Sequence, residues 1–391
     1  MQAKLSERLT MMLRPAGGGV YVVSTGLKEQ QALQRVIYQA EDAEDITKAW
    51  KKTIENALNH QQLASSPASH NHLLLLGVPS DTGAGFTRGA NLAPAAIRSF
   101  LLEHDSEHPL VNQQCYDIGD VRVVPQLLSE EMLSPAQKQA TAKILYELED
   151  IDSDFELPVA PLDICDYALS QFNQVEDNHA LTPIVIGGDH SVAWPAFKVA
   201  HERWEQSGKA RLGLLHFDAH TDLLSERLGI TYCFATWAWH ANQLLGADGR
   251  LVQVGIRASG RDQQHWEKSC NLRQIWAQEV KERGAHAVAQ EIIERFESLG
   301  VTALYVSNDI DGTDSAFASA TGTPEPDGLS PEQVDDITRL VGERFPLIGA
   351  DLVEVAPPLS REVGEPERTL RTASIYLKTL ANLALERRPI V

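Results

Sequence analysis

The chain has 391 residues, enough for one large α/β domain or for a domain with an appendage. Its 54 acidic residues against 34 basic ones disfavour nucleic acid and anionic lipid as partners and suit a cationic small molecule. Cys115, Cys165, Cys233 and Cys270 form no CxxC pair, which argues against a zinc ribbon and a disulfide framework and for reduced thiols in a cytoplasmic protein.

The N-terminus, MQAKLSERLTMMLRPAGGG, is charged and interrupted, and the longest apolar runs are strand-sized, so neither a signal core nor a membrane partner is expected. Residues 20–24 read as a short strand. Residues 41–60 carry Ile46, Trp50, Ile54 and Leu58 at helical spacing and read as an amphipathic helix. Residues 62–72, rich in Ser, His and Asn, read as a linker, so that residues 1–70 form a partly helical N-terminal extension to a main domain over 71–391. The extension either covers a subunit surface or a neighbouring active site, or packs as a layer on its own chain.

Residues 73–78 form an apolar first strand, and 93–103 a helix with Pro94 near its start, where proline is tolerated. The glycine-rich connection 81–90 is too long for a tight turn and is expected to line a mouth at the strand ends. No GK[ST] follows it, which removes a phosphate-loop reading. Helices are expected at 134–148 and 161–175, around an acidic surface loop at 150–158. From residue 183 onward, strand-like runs alternate with helical segments at 192–205, 276–299, 331–344 and 368–387. That alternation predicts a mainly parallel sheet between two helical layers, a three-layer α-β-α architecture with its site outside the carboxyl ends of the strands.

Three stretches at such strand ends carry ligand-type side chains. In LLHFDAHTD (214–222), a buried strand dissolves into Asp218, His220 and Asp222, which strand alternation would place on one face. IVIGGDHS (184–191) turns at Gly187 and Gly188 before His190, and YVSNDIDGTD (305–314) sets Asp309 and Asp311 two apart. Carboxylates gathered this closely repel one another unless a cation lies among them, and Asp with neutral His suits a divalent first-row metal. His190, Asp218, His220, Asp222, Asp309 and Asp311 are the expected metal ligands.

GGDHS, DAHTD and SNDIDGTDS, in this order, resemble the metal signatures of the ureohydrolases, the family of arginase, agmatinase and formiminoglutamase. GVPSDTGAGFTRGANLAPAAIR (77–98), YDIGDV (116–121), ATGTPEPDGLS (320–330) and ADLVEVAPPL (350–359) extend the resemblance from about Leu73 to the C-terminus. It implies an arginase-like fold whose catalytic domain is the 71–391 unit, and a homo-oligomer, trimeric or hexameric. It also implies two divalent ions, manganese by family habit with nickel as the alternative. His190, Asp218, Asp222 and Asp309 would hold one and His220, Asp218, Asp309 and Asp311 the other, with a metal-held hydroxide attacking the amidine carbon. Asp222 and Glu354 are the catalytic residues so implied, Glu354 by accepting N–H bonds from a planar amidine. No organic cofactor is implied.

The segment after Asp222 departs from the family. Arginases and agmatinases carry a proton-shuttling histidine where Phe234 stands here, and a phenyl ring cannot transfer a proton. Leu223, Leu224 and Ile230 replace the polar residues that would clamp an amino acid, so arginine is not the expected substrate. Phe234 and Trp237, with Tyr232 and Trp239, could face a small guanidino cation through their rings, or could simply pack a helix. Ser315 replaces the proline that usually ends the third signature, a change in loop rigidity only. The function expected is urea release from a small guanidino compound, agmatinase-like or smaller. The alternatives are a formiminoglutamase releasing formamide, a catalytically silent metal-binding protein, and a deacetylase-like single-zinc hydrolase, which paired Asp309 and Asp311 argue against.

Overall fold

The computed structural model describes residues 2–20, 26–60, 71–85, 87–148, 157–173, 180–387 and 390. The strands are β1 (Leu13–Arg14), β2 (His72–Val78), β3 (Cys115–Val121), β4 (Leu181–Gly187), β5 (Leu212–Phe217), β6 (Leu251–Val254), β7 (Arg273–Ile275), β8 (Ala303–Asp309) and β9 (Leu347–Val353). They build a nine-stranded sheet in the order β1-β3-β2-β4-β9-β8-β5-β6-β7, in which β1 pairs antiparallel with β3 and all other neighbours are parallel.

Parallel strands reach one another only through crossovers, and the crossover helices cover both faces, so their side chains are apolar in both directions. In β2, Leu74, Leu76 and Val78 enter one core while Leu73 and Leu75 enter the other; in β5, Leu212 and Leu214 oppose Leu215 and Phe217 in the same way. Helices Pro161–Asn173, Ala193–His201 and Trp237–Leu244 close the first core, and helices Ala93–His104, Ala285–Ser298, Pro331–Arg344 and Glu367–Leu385 close the second. This is the three-layer arrangement expected.

The order of strands decides where a site can form. β4 and β5 follow each other in sequence, yet β9 and β8 lie between them in the sheet. The carboxyl ends of β4, β9, β8 and β5 therefore stand side by side, and every expected metal ligand lies at or just beyond one of those ends. Gly188 shows how tightly the first is packed. A Cβ there would stand 1.7 Å from the Ser80 carbonyl oxygen, and the next residue, Asp189, donates its N–H to that same oxygen at 2.9 Å.

The N-terminal extension packs on its own chain. Asp42 caps helix Ala43–Leu58 by accepting from Glu44 N and Asp45 N, and that helix buries Ile46, Trp50, Ile54 and Leu58 as their spacing predicts. Trp50 Nε1 donates to Ile118 O in β3 at 2.8 Å, and Gly17 N donates to Asp120 Oδ2 at 2.8 Å. The buried Arg98 guanidinium clamps Asp117 and Asp120, tying the extension's contact strand to helix Ala93–His104. β1 also covers the outer edge of β3, which would otherwise present open backbone groups.

Two sequence expectations differ from what is seen. The segment 276–299 is not one helix but two, Ala277–Arg283 and Ala285–Ser298, because Gly284 adopts φ +82° and turns the chain between them. Helix Ala193–His201 ends in a wider turn at Glu202–Gln206 rather than running on to 205. The expected linker, acidic loop and first short strand fall largely at 61–70, 149–156 and 21–25, outside the described residues; Val20 bridges Val123. No helix among the described residues is long and apolar enough to cross a membrane.

Candidate metal centre

His190 follows the turn after β4 and points Nδ1 at three carboxylates: Asp218 Oδ2 at 3.3 Å, Asp222 Oδ2 at 3.1 Å and Asp309 Oδ2 at 3.1 Å. Its other ring nitrogen settles the tautomer. Nε2 lies 3.0 Å from Ser307 Oγ, whose own proton goes to Asp351 Oδ1 at 2.7 Å, so the serine oxygen accepts and Nε2 carries the hydrogen. Tyr305 OH holds the second Asp351 oxygen at 2.9 Å. In the neutral ring Nδ1 is thereby left as a lone pair, buried and facing three anions. Such an arrangement is favourable only around a cation.

A second pole adjoins the first through Asp218. His220 Nδ1 lies 3.4 Å from Asp218 Oδ1 and 3.1 Å from Asp311 Oδ2, so the two oxygens of Asp218 face different imidazoles. Asp309 Oδ1 accepts from Asp311 N at 2.9 Å, and Asp311 accepts from Ala219 N at 3.1 Å and Thr323 Oγ1 at 2.9 Å. These donors, two backbone N–H groups and one hydroxyl, aim the carboxylates. The strand-alternation expectation gives way here. β5 ends at Phe217, and Asp218 to Asp222 converge from a loop in which Asp222 takes φ +51°. Glu354 also has a positive φ, +62°, and non-glycine residues in this conformation tend to gather at functional sites.

The same shortage of positive charge shifts the proton affinities of these groups. Burial lowers the affinity of the His190 ring for a proton, but Asp218, Asp222 and Asp309 outweigh it and hold the imidazole well above its ordinary value. Burial likewise opposes protonation of His220, yet Asp311 and Asp218 push it up to about 12. Burial, then Asp311 and Asp218, raise Asp309 well above the carboxylate range. Burial and then Asp189 do the same to Glu354, against the His190 N–H. Protons are drawn to where cations would otherwise sit. The donors, carboxylate oxygen and imidazole nitrogen, fit divalent manganese or nickel.

Glu354 follows β9 and lies over the centre. Its Oε1 accepts from His190 N at 2.9 Å, while Oε2 lies under the loop at Gly322, where a Cβ would stand 3.7 Å from it and 3.3 Å from Thr87 O. Gly322 thus lies close both to Thr87, in the connection after β2, and to this carboxylate. Phe234 is fastened to the first of these loops: its N–H donates to Gly83 O at 3.2 Å, and Gly83 N donates to Asp189 Oδ2 at 3.0 Å, beside His190. The phenyl ring lies against Gly85, with the Arg227 guanidinium 4.8 Å from its centroid.

Trp237 occupies a different place from the one expected. It is 0% exposed, donates Nε1–H to Asp222 Oδ2 at 3.1 Å, and sets its ring 4.7 Å from His190 and 4.8 Å from His216. As the first turn of helix Trp237–Leu244, it is drawn beneath the cluster by the core and acts on Asp222 rather than lining a mouth. Tyr232 stacks on Trp194 at 5.1 Å. Residues that sequence reading passed over include Ser307, Asp351, Gln253 and His216. Only His216 carried a local signal, as the second imidazole of LLHFDAHTD; the others are polar residues within apolar strands whose partners lie far away in sequence.

A model of the arginase family matches residues 71–382. Guanidinopropionase of Pseudomonas aeruginosa is 35% identical over 292 residues, 73% of this chain and 79% of that enzyme. Guanidinobutyrase of the same organism is 33% identical over 212 residues, a match spanning 50% of this chain and 63% of that enzyme. Among solved structures, proclavaminate amidino hydrolase from Streptomyces clavuligerus superposes with TM-score 0.59 at 27% identity, covering 81% of this chain and 92% of that one. Formimidoylglutamase from Bacillus subtilis gives TM-score 0.59 at 20% identity, covering 81% and 88%, and shares the fold.

Proposed function

The chain belongs to the arginase family, and from that premise we propose that it is a binuclear metal-dependent hydrolase releasing urea from a small guanidino compound with no distal cation. Free guanidine and short guanidino acids fit best. The observation that carries this reading is the His190 Nδ1 lone pair facing Asp218, Asp222 and Asp309, with Asp218 shared between two imidazole poles. His190, Asp218, Asp222 and Asp309 would hold one ion and His220, Asp218, Asp309 and Asp311 the other. When bound, two divalent ions supply Lewis acidity that makes water a nucleophile near neutral pH.

The chain's own residues then divide the remaining work. Asp222, steered by the Trp237 indole N–H, and Asp309, steered by the Asp311 N–H, fix the first pole. Glu354 presents Oε2 beneath the 320–323 loop to take N–H groups of a planar amidine, a charge-assisted pair that strengthens as the reacting carbon loses planarity and charge localises on nitrogen. Phe234 and Arg227 govern the tail of the substrate. The ring bridges the segments around Gly85 and Arg227, narrowing the way out, and the guanidinium beside it disfavours a second positive charge such as the amine of agmatine. A phenyl group in the family's shuttle position also suits a leaving group that needs little help, and this favours the formiminoglutamase reading as the second choice. A cytoplasmic homo-oligomer loaded with manganese or nickel completes the proposal.

The test is a product assay on metal-loaded protein with guanidine, guanidinobutyrate, guanidinopropionate, agmatine and formiminoglutamate. Urea from guanidine or a guanidino acid is expected, with agmatine poorer by about tenfold or more. Glu354→Gln should lower turnover by roughly two orders of magnitude with metals retained. Formamide from formiminoglutamate alone would move the assignment to the second choice. No turnover of any of them would leave a metal-binding protein without this catalysis.

A further inference from the structure

Behind the candidate centre runs a chain of buried amides whose direction is fixed at both ends. Trp276 Nε1 lies 3.0 Å from Gln274 Oε1, Gln274 Nε2 lies 2.8 Å from Gln253 Oε1, Gln253 Nε2 lies 2.9 Å from His216 Nδ1, and His216 Nε2 lies 2.9 Å from Asp218 Oδ2. Gln274, Gln253 and His216 are fully buried. An indole nitrogen can only donate, so Gln274 must turn its oxygen to Trp276 and its NH2 to Gln253. Gln253 in turn receives on its oxygen and donates from Nε2. A second contact fixes the same orientation independently: Gln253 Nε2 lies 2.6 Å from Thr221 O, an oxygen that can only accept.

His216 Nδ1 is consequently an acceptor, and the ring hydrogen sits on Nε2, directed at Asp218. We propose that Trp276, Gln274 and Gln253 form a one-way hydrogen-bond relay that locks His216 in its Nε2–H tautomer, making it the positioning residue for the bridging carboxylate Asp218 rather than a metal ligand. The proposal rests on the binuclear reading above. His216 stands close enough to His190, Asp218 and Asp222 to be counted among possible ligands, but the nitrogen it turns to them already bears hydrogen. Its bond to Asp218 Oδ2 fixes the rotation of a side chain whose Oδ1 must meet the second pole. The same bond withdraws electron density from the oxygen facing His190, so the two poles are not equal donors. Trp276 stands ahead of helix Ala277–Arg283, where its indole can reach back to Gln274.

The experiment reads the tautomer directly. In metal-free protein with 15N-labelled histidine, long-range proton–nitrogen spectra should show one ring, absent from the His216→Gln spectrum, in the Nε2–H form. Gln253→Leu should broaden or switch that signal, and Trp276→Phe, which removes only the distant donor, should shift it in the same sense without unfolding the protein. Calorimetric titration with manganese should show affinity falling about 10- to 100-fold in His216→Leu and Gln253→Leu, and largely recovered in His216→Gln, whose amide N–H reaches the same oxygen. An Nδ1–H ring in the native protein, or an unchanged ring and unchanged affinity in both relay variants, overturns the proposal. Failure of wild-type protein to take two ions would instead sink the binuclear reading, and the metal-free tautomer would still stand or fall by itself.

Discussion

At the first pole, His190 is 1% exposed and held from behind by Ser307 and Asp351, and its carboxylates come from two strand ends, Asp218 and Asp222 beyond β5 and Asp309 at the end of β8. At the second, His220 is 29% exposed, and its carboxylate neighbours are the shared Asp218 and Asp311. The side-chain types, imidazole and carboxylate, are the same; the scaffolding is not. A pole sealed in the sheet has already met the cost of desolvating its carboxylates during folding, so removing its cation uncovers buried charge. A pole open to water loses its cation more cheaply. The first should therefore behave as a structural ion site and the second as one that exchanges.

The largest effect should come from the residue the poles share. Asp218→Ala removes an oxygen from each and leaves His216 donating into a gap, so both ions should be lost and turnover should fall by roughly a thousandfold or more. Metal analysis after desalting, beside a urea assay, checks this. Two ions retained per chain would show that Asp218 does not bridge.

The comparison sharpens when each pole is removed alone. His220→Asn is expected to keep one ion per chain and to lose activity by about a hundredfold, while His190→Asn should release both ions, because its three carboxylates then repel without relief. A timed chelator series on wild-type protein should likewise release one ion early and one late. Equal loss from the two variants would erase the distinction between the poles.

This asymmetry was only half readable beforehand. His190, Asp218, His220, Asp222, Asp309 and Asp311 announce themselves because ligand types follow apolar runs at fixed spacing, and apolar runs separated by helix-length segments are enough to predict a parallel sheet. What escaped depends on contacts made across the sheet. Ser307 and Asp351 lie in neighbouring strands whose pairing, Ser307 with Asp351, is set by the register of β8 on β9. Gln253 and Gln274 face each other for the same reason, across β6 and β7. In the sequence Trp237 fits a substrate-facing ring and a packed one equally, because an aromatic run looks the same whether it lines a mouth or a core, and burial alone separates the two. The helix break at Gly284 was missed for a different cause, since glycine within a helical pattern is tolerated often enough to be passed over.

The smallest effects should appear at the mouth, where the two poles meet the substrate's tail. If Phe234 merely replaced a proton shuttle, Phe234→His would restore proton delivery and raise turnover of agmatine. The surroundings argue otherwise. The Arg227 guanidinium lies 4.8 Å from the ring centroid, so an imidazole introduced there would face a fixed positive charge that opposes its protonation, and Gly85 packs closely on the same ring. Phe234→His is thus expected to lower activity on the native substrate about tenfold with no gain on agmatine, while Arg227→Gln, which removes the repelling charge, should raise kcat/KM for agmatine severalfold and leave guanidine nearly untouched. Salt offers an internal control: the Arg227 effect on agmatine should shrink as ionic strength rises, because an exposed charge is screened, whereas a purely steric role for the ring would be indifferent to it. A clear gain on agmatine in Phe234→His without loss on the other substrates would show that the ring is a lost catalytic group after all, and not a wall.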